Sequence, residues 1–211
     1  DNNGEIIWFS ELFADCIGED VAVTLKSVQA IDERLPDHRN LANVLFGGRS
    51  FSIYTDKSDM NGREMYIYYL FDTTDYNNLI HEHEMSAPVV SYLLIDNYDE
   101  LFSMASEGEK NHAMAQIDEA VSAWLSDVKG ILRKIERDRY MLICENRDFL
   151  RMAKNQFAIL DRVKHLKVSE KTFPTFSIGM GMGGGSFEQN EAFARKALDM
   201  ALSRGGDQAV V

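Results

Sequence analysis

The sequence predicts an α+β fold in two parts, a small sheet domain over residues 1–85 and a larger domain over residues 86–211. Two apolar runs between residues 50 and 71 flank Asn61-Gly62, a dipeptide typical of tight hairpin turns. Strand and helix patterns then follow in the order βααββαβ-αβ, with helices long enough to cover one face of a mostly antiparallel sheet. The polar, helical segment that ends before Pro88 marks the boundary.

The first part is predicted to combine short strands with a few helices. We expect a strand over residues 5–10, and then a helix that is capped by Ser10 and stopped by Gly18. In the first hairpin strand, Phe51 and Ile53 share one face, because side chains alternate along a strand. Five apolar residues either line a pocket in this part or fill its core: Trp8, Phe51, Ile53, Met65 and Ile67.

The second part opens on an apolar strand over residues 88–96, which is typical of a strand covered on both faces. A long helix follows, and its apolar residues recur at helical spacing: Ala113, Ile117, Val121, Trp124, Leu125 and Val128. A hairpin with a charged tip comes next, and then one amphipathic helix over residues 148–166. A strand, a last helix over residues 188–204 and a final strand complete the order.

The composition narrows the classes of partner. The formal net charge is −12, which argues against non-specific binding of nucleic acid or of anionic lipid. Cys16 and Cys144 are the only cysteines, and the second lies in a predicted buried strand, which favours a reducing compartment. No apolar run approaches the roughly 20 residues that a membrane helix needs. Since the sequence starts with Asp1 and stops on the apolar strand "QAVV", we expect a piece of a longer protein.

Three motifs in the second part resemble the GGDEF domain of diguanylate cyclases. Where that family reads D-x-D-x-F-K, G-G-D-E-F and T-x-S-I-G, this chain reads Leu94-Ile95-Asp96-Asn97-Tyr98-Asp99, Glu136-Arg137-Asp138-Arg139-Tyr140 and Thr175-Phe176-Ser177-Ile178-Gly179. The resemblance covers about residues 86 to 211. It implies a nucleotidyl-cyclase-like fold in which the residues Glu136 to Tyr140 occupy the place of the nucleotide-binding catalytic loop.

The same resemblance implies that the catalytic loop is degenerate. The family's metal-binding Asp on the first strand is Leu94 here, and the Glu of the loop is Arg139. The paired glycines that let substrate approach the backbone are Glu136 and Arg137. Because joining two nucleotides needs metal ions held by carboxylates, we expect no diguanylate cyclase activity.

Of the two acids in the G-G-D-E-F motif, only the Asp is kept, as Asp138, and two interpretations of it stay open. Asp138 either holds one metal ion at a nucleotide phosphate or is a solvated turn acid paired with Arg137 or Arg139. Asp96 and Asp99 either add ligands to that ion or cap the following helix. The glycine-rich run after the fourth predicted strand of this part lacks the G-K-[ST] ending of a phosphate loop, so we expect a plain connecting loop.

The first part resembles a short PAS domain, and the combination resembles a known family. "GEIIWFSELF", from Gly4 to Phe13, is similar to the usual PAS start, and "LFDTTDYNNL" is similar to the PAS exit into a linker helix. A small PAS domain before a degenerate GGDEF domain is the order found in membrane-anchored cyclic-di-AMP phosphodiesterases of the GdpP type. In that family two membrane helices precede the PAS domain, and a DHH–DHHA1 catalytic pair follows the GGDEF domain.

The resemblance implies that this chain is the regulatory portion of such an enzyme, on the cytoplasmic side of the membrane. The nearest match to D-H-H here is Asp37-His38-Arg39, so the phosphodiesterase site and its Mn²⁺ are expected outside this sequence. Two alternatives remain: a degenerate GGDEF domain that binds or slowly hydrolyses ATP with Mg²⁺, and a non-catalytic dimerisation scaffold. We also expect a homodimer, in which Leu79, Ile80 and Met85 of the linker helix pair with their twins.

Haem is a further cofactor that the resemblance implies for the PAS-like domain. His38 is the only histidine of that domain before the linker, and it lies among charged residues. A haem iron ligand normally faces an apolar pocket, so this environment disfavours haem ligation at His38.

Overall fold

The computed structural model describes residues 4–60, 62–166 and 172–211. Contacts between residues divide the chain into two compact units, Asp1–Glu82 and His83–Val211. In the described part of the chain, no helix is long and apolar enough to cross a membrane.

Among its described residues, the first unit holds two short helices, two single-turn 3-10 helices and a three-stranded sheet, followed by a linking helix. The elements are α1 (Glu11–Ile17), α2 (Glu19–Thr24), the 3-10 helices Val28–Ala30 and Leu35–Asp37, β1 (Leu41–Phe46), β2 (Arg49–Met60), β3 (Arg63–Asp72) and α3 (Thr74–Ser86). The helix after Ser10 is confirmed, because the Ser10 hydroxyl accepts a hydrogen bond from the Phe13 N–H and the chain leaves the helix at Gly18.

The strand predicted over residues 5–10 is wrong. That segment makes a single bridge, between Glu5 and Ser27, and then runs as irregular chain into α1. Trp8 is 79% exposed, so its apolar side chain does not anchor a strand to the core. The prediction failed because aromatic and β-branched residues favour a strand only where there is a surface for them to pack against.

The predicted hairpin is confirmed as β2 and β3, which pair antiparallel from Phe51 opposite Asp72 to Met60 opposite Arg63. Gly62 takes the positive φ of the turn, whereas Asn61 lies outside the described residues. Phe51 and Ile53 face the core, as predicted, and both are fully buried. They pack with residues from the helices and from β1: Ile17, Ala22, Leu25, Val28, Leu35 and Val44.

The second unit has a five-stranded sheet in the order β5-β6-β4-β7-β8, antiparallel except for the last pair. Its elements are β4 (Pro88–Ile95), α4 (Tyr98–Phe102), α5 (Glu107–Trp124), β5 (Gly130–Lys134), β6 (Arg139–Glu145), α6 (Asn146–Lys154), α7 (Ile159–Lys164), β7 (Phe176–Gly181), α8 (Phe187–Ser203) and β8 (Ala209–Val210). The mostly antiparallel sheet that the sequence predicts is therefore confirmed. The predicted stripe on α5 is confirmed for Ala113, Ile117 and Val121, which are buried in the main core. The helix ends at Trp124, so the prediction that Val128 belongs to it is wrong.

The single helix predicted over residues 148–166 is instead two helices, α6 and α7. Gln156 and Phe157 between them both have positive φ, which ends the first helix. The reversal lets Phe157 pack on the core beside Phe149, with ring centroids 6.4 Å apart. Apolar residues lie at helical spacing on both sides of the break, so the periodicity alone does not reveal it.

Helix α8 lies in direct backbone contact with β7, because two glycines of that strand carry no side chain. A Cβ placed on Gly181 would lie 1.9 Å from the carbonyl oxygen of Asn190, and one on Gly179 would lie 2.2 Å from the amide nitrogen of Leu198. The helix presents small residues to the sheet, among them the buried Ala194 and Ala201. The two elements therefore pack without intervening side chains.

This contact predicts that Gly181→Ala destabilises the chain by at least about 2 kcal/mol, because the added methyl group meets backbone that cannot move aside. Chemical denaturation followed by circular dichroism measures the effect. The control is Gly108→Ala in α5, where a Cβ meets nothing within 4 Å. We expect this control to be neutral or to stabilise the chain by up to about 1 kcal/mol. Equal stability of the two variants would contradict the glycine contact.

Candidate functional site

The hairpin tip between β5 and β6 lies beside the end of β4, which is the arrangement that a GGDEF-type site requires. Arg139 pairs with Leu94 across the β4–β6 ladder. The Ile95 N–H donates to the carbonyl oxygen of Asp138 over 2.9 Å. The hairpin and the strand end are thus joined through backbone, independently of the side chains at the tip.

The two arginines of the hairpin make ion pairs, but neither pairs with Asp138. A guanidinium nitrogen of Arg137 lies 3.0 Å from a carboxylate oxygen of Asp99. The guanidinium carbon of Arg137 is 5.1 Å from the ring centre of Tyr98. Arg139 lies 3.6 Å from Glu136. The solvated-turn interpretation therefore named the wrong partners. Since the Arg137 and Asp99 side chains are largely exposed, their pair contributes little to stability.

Asp138 is half-buried, and within the described residues its carboxylate has no hydrogen bond or ion pair. Leu94, which pairs with the neighbouring Arg139 across the ladder, offers no oxygen to a cation. The described chain holds no group of three or more His, Cys, Asp or Glu that could bind a metal ion. Because Mg²⁺ prefers octahedral oxygen ligands, this donor set does not fit the Mg²⁺ that the resemblance implies with ATP.

Asp96 neither caps α4 nor turns toward the hairpin. Its carboxylate accepts a hydrogen bond from the Asp207 N–H over 2.9 Å, next to Gly206. Burial raises the pKa of Asp96 above its usual value, and this backbone hydrogen bond opposes that rise. The capping interpretation of Asp96 is thus wrong. Asp99 does lie in the first turn of α4, where an acid is favourable.

Tyr140 belongs to the core and not to a nucleotide pocket. It is buried, its ring packs edge-on to Phe176, and its hydroxyl donates to the Asp118 carboxylate over 2.5 Å. Burial, and then the bond to Asp118, raise the pKa of Tyr140. Lys134 of β5 also contacts Asp118, at 3.1 Å. The ring and hydroxyl of Tyr140 are both engaged in the core, so the part of the nucleotide-binding prediction that rests on Tyr140 gains no support from its position.

The glycine-rich run after β7 is hydrogen-bonded to side chains in the first turn of α8. These bonds disfavour a phosphate loop. The N–H of Gly184 donates to the side-chain oxygen of Asn190, and the N–H of Gly185 donates to that of Gln189. These are the backbone donors that would have to cradle a phosphate. The predicted connecting loop covers only the later part of the run from Gly179 to Gly185, because Gly179 to Gly181 are buried residues of β7.

The five pocket candidates of the first unit do not gather around one pocket. Phe51 and Ile53 lie on the core face of the sheet. Ser58 pairs with Met65 and Asp56 pairs with Ile67, so this register places Met65 and Ile67 on the opposite face. Trp8 is exposed. The sequence pattern gave each strand its alternation, but it did not give the register between the strands.

The outer face of the same sheet carries an open cavity of about 530 Å³, lined by Ser52, Tyr54, Tyr69, Phe71 and Thr73. Tyr54 and Phe71 pack edge to face, with ring centroids 5.6 Å apart. Their alternation within β2 and β3 is visible in the sequence. A helix or a partner could equally have covered this face, so the sequence gives no sign of its exposure.

His38 does not fit the role of a haem ligand. Its ring stacks on Tyr66 with centroids 3.4 Å apart, and its Nδ1 atom lies 2.7 Å from the Tyr68 hydroxyl. The Tyr68 hydroxyl also lies 3.2 Å from the carbonyl oxygen of Leu35. A porphyrin needs an open apolar space around the ligating ring, and here tyrosines occupy that space.

The sequence analysis missed Asp118 beside the hairpin, and it missed Asn146 and Asn190 at the opposite end of β4. Asp118 anchors Tyr140, and Asn146 and Asn190 bind the backbone where the chain passes from α3 into β4. Asn190 belongs to no sequence motif, and its hydrogen-bond partners are 6 and 102 residues away in the sequence. Only the solvent-excluded setting of a polar side chain identifies it.

The comparisons with known proteins connect this geometry to a family. Residues 93–211 match the family model described as "Cyclic-di-AMP phosphodiesterase GdpP-like, GGDEF domain". The cyclic-di-AMP phosphodiesterase GdpP of Geobacillus thermodenitrificans is 26% identical over 100% of this chain and 32% of its own length. The cyclic-di-AMP phosphodiesterase PdeA of Listeria monocytogenes is 30% identical over 71% of this chain and 23% of its own length. The chain thus spans about a third or less of these relatives.

Solved structures agree on the fold of the second unit. The active GGEEF domain of a diguanylate cyclase from Vibrio cholerae matches 64% of this chain and 88% of its own, with a TM-score of 0.53 at 12% identity. The GGDEF domain of DgcB from Caulobacter crescentus, solved with c-di-GMP, matches 64% of this chain and 85% of its own, also with a TM-score of 0.53 at 12% identity. At this identity the likeness establishes the fold and carries no activity across.

The site predicts that the chain makes no cyclic-di-GMP from GTP and Mg²⁺, because Leu94 and Arg139 stand where the resemblance expects metal-binding carboxylates. Chromatography of the reaction mixture measures the product, with an active diguanylate cyclase as the positive control. Product that increases in proportion to the purified chain would show that the hairpin still supports synthesis.

Proposed function

Because the chain belongs to the GdpP-like family of cyclic-di-AMP phosphodiesterases, we propose that it is the regulatory portion of such an enzyme. One observation supports this proposal: the family match over residues 93–211 includes a hairpin at which the described residues form no cluster of three or more metal-binding side chains. A domain that keeps its core and lacks its metal ligands is suited to transmit or bind, and not to synthesise.

The hydrolytic site is proposed to lie in another part of a longer protein. The chain covers 32% of the Geobacillus relative and 31% of the GdpP of Bacillus subtilis, so most of each relative is outside the match. In keeping with the resemblance, we assign hydrolysis to a DHH–DHHA1 segment that uses Mn²⁺. Anchoring at the cytoplasmic side of the membrane is part of the same proposal.

The first unit is proposed to be a PAS-like sensor. Its support is a small antiparallel sheet with short helices on one face, joined to the second unit through the continuous helix α3. The match to the Geobacillus relative covers the whole of this chain, so the first unit also has a counterpart in that relative. The aromatic cavity on the outer face of the sheet is the proposed ligand site of this unit.

A homodimer through α3 is the proposed way for the units to communicate. None of the residues of α3 is buried, and Tyr76, Leu79 and Ile80 are exposed at spacings of three and four residues. Met85 is half-buried and therefore less available for pairing than expected. Apolar residues at this spacing form the stripe through which helices pair.

The first test concerns hydrolysis. The chain alone, incubated with cyclic-di-AMP and Mn²⁺, is expected to give no linear pApA by mass spectrometry, because it has no described metal cluster. A protein that extends through a DHH–DHHA1 segment is expected to give pApA, at a rate that changes when residues 1–211 are removed. An unchanged rate would overturn the regulatory assignment.

The second test concerns self-association. Leu79→Asp is expected to weaken it about tenfold or more without unfolding the chain, since a fully buried leucine contributes roughly 1.5–3 kcal/mol. Analytical ultracentrifugation measures the dissociation constant. Val23→Asp, at an equally exposed apolar residue of α2, is the matched control. A wild-type chain that stays monomeric at high concentration would exclude the α3 dimer.

A further inference from the structure

Helix α8 binds the backbone at the point where the chain enters the second unit. Asn190 is 2% exposed, and both ends of its side-chain amide are used. The side-chain oxygen accepts from the Gly184 N–H over 2.8 Å, and the side-chain nitrogen donates to the carbonyl oxygen of Pro88 over 2.9 Å. Pro88 is the first residue of β4. The first turn of α8 is therefore fixed to the start of the central strand.

Asn146 makes a second attachment at the same point. Its side-chain nitrogen donates to the carbonyl oxygen of Glu84 over 3.1 Å, and its backbone N–H donates to that of Ala87 over 2.9 Å. Glu84 belongs to the last turn of α3. Two asparagines from two helices thus bind three carbonyl oxygens, those of Glu84, Ala87 and Pro88, in the segment that connects α3 to β4.

The other end of α8 binds the segment by which the chain leaves the second unit. The Gly206 N–H donates to the carbonyl oxygen of Ala201 over 3.0 Å, and the Gln208 side chain donates to the same oxygen over 3.2 Å. The Asp207 N–H donates to Asp96, at the end of β4. The carbonyl oxygen of Gln208 then accepts from the Ile178 N–H over 2.9 Å, beside the pairing of β7 with β8.

Between its two ends α8 has little freedom to bend or slide. It is 17 residues long, about 25 Å at the helical rise. The backbone contacts at Gly179 and Gly181 leave no space between helix and strand. Close-packed interiors of this kind transmit displacement because they have few voids to absorb it.

We propose that α8 is a strut that couples the last turn of α3 to the exit strand β8, with Asn190 and Gln208 as its positioning residues at the two ends. This inference rests on the proposed regulatory function, for which it names the path within the second unit. It requires that loosening one end of α8 loosens the other. Independent local opening of the two ends is the competing possibility.

Amide hydrogen exchange of the full chain, resolved by residue, separates the two possibilities. Asn190→Asp keeps the oxygen that binds Gly184 and removes the donor to Pro88. We expect exchange at the amides of Gly206, Asp207 and Ile178 to become about tenfold faster, the effect of losing one buried hydrogen bond in a coupled unit. Gln208→Ala should act in the reverse direction and speed exchange at the amides of Gly184 and Asn146, because coupling is reciprocal.

The control is Val121→Ala, a truncation in the core face of α5, compared at a denaturant concentration that gives equal global stability. Exchange at the exit strand that stays at the wild-type rate in Asn190→Asp would overturn the strut. So would the same exchange pattern in Val121→Ala, which would mean global opening. If Asn190→Asp does not fold, Gln208→Ala decides alone, and unchanged exchange at the amide of Gly184 in that variant overturns the strut. The readout does not involve cyclic-di-AMP, so its failure leaves the regulatory assignment intact.

Discussion

The second unit depends on the backbone contact between β7 and α8. Gly179 and Gly181 remove the side chains that would otherwise separate helix from strand, and the helix lies on them through Ala194 and its neighbours. The position of α8 in turn places Asn190 against Pro88 and sets the direction of the turn into β8. Helix α8 therefore fixes the backbone at both Pro88 and Gly206, and it can do so because Gly179 and Gly181 let it lie directly on β7.

Fold and chemistry are carried by different residues of the hairpin. Tyr140 faces inward, fills the core beside Phe176 and binds Asp118, whereas Glu136 to Arg139 face outward or half-outward. The backbone bond from Ile95 to Asp138 holds the tip in place whatever its side chains are. A GGDEF-type fold therefore persists here without the carboxylates and glycines that synthesis requires.

Much of the fold could be predicted from the sequence, because local patterns report local structure. The β2–β3 hairpin followed from alternation and from its turn residues, and the start of α1 followed from Ser10. The break between α6 and α7 could not be predicted, because its cause is the packing of Phe157 on distant residues. Nor could the partners of Asp96, Arg137 and Asn190, since each depends on segments brought together by folding. The degenerate loop was readable by resemblance, but the residues that hold it in place were not.

Because of the backbone hydrogen bond between Ile95 and Asp138, the position of the hairpin tip depends little on the side chains of the tip. Since the tip is anchored through main chain and through the inward-facing Tyr140, its outward side chains are almost free of folding constraints. Substitutions at the exposed positions of the tip therefore leave the backbone bond and the core contacts of Tyr140 in place. This anchoring also makes this chain a host for grafting: a different tip sequence at positions 136–139 would be displayed on an unchanged frame.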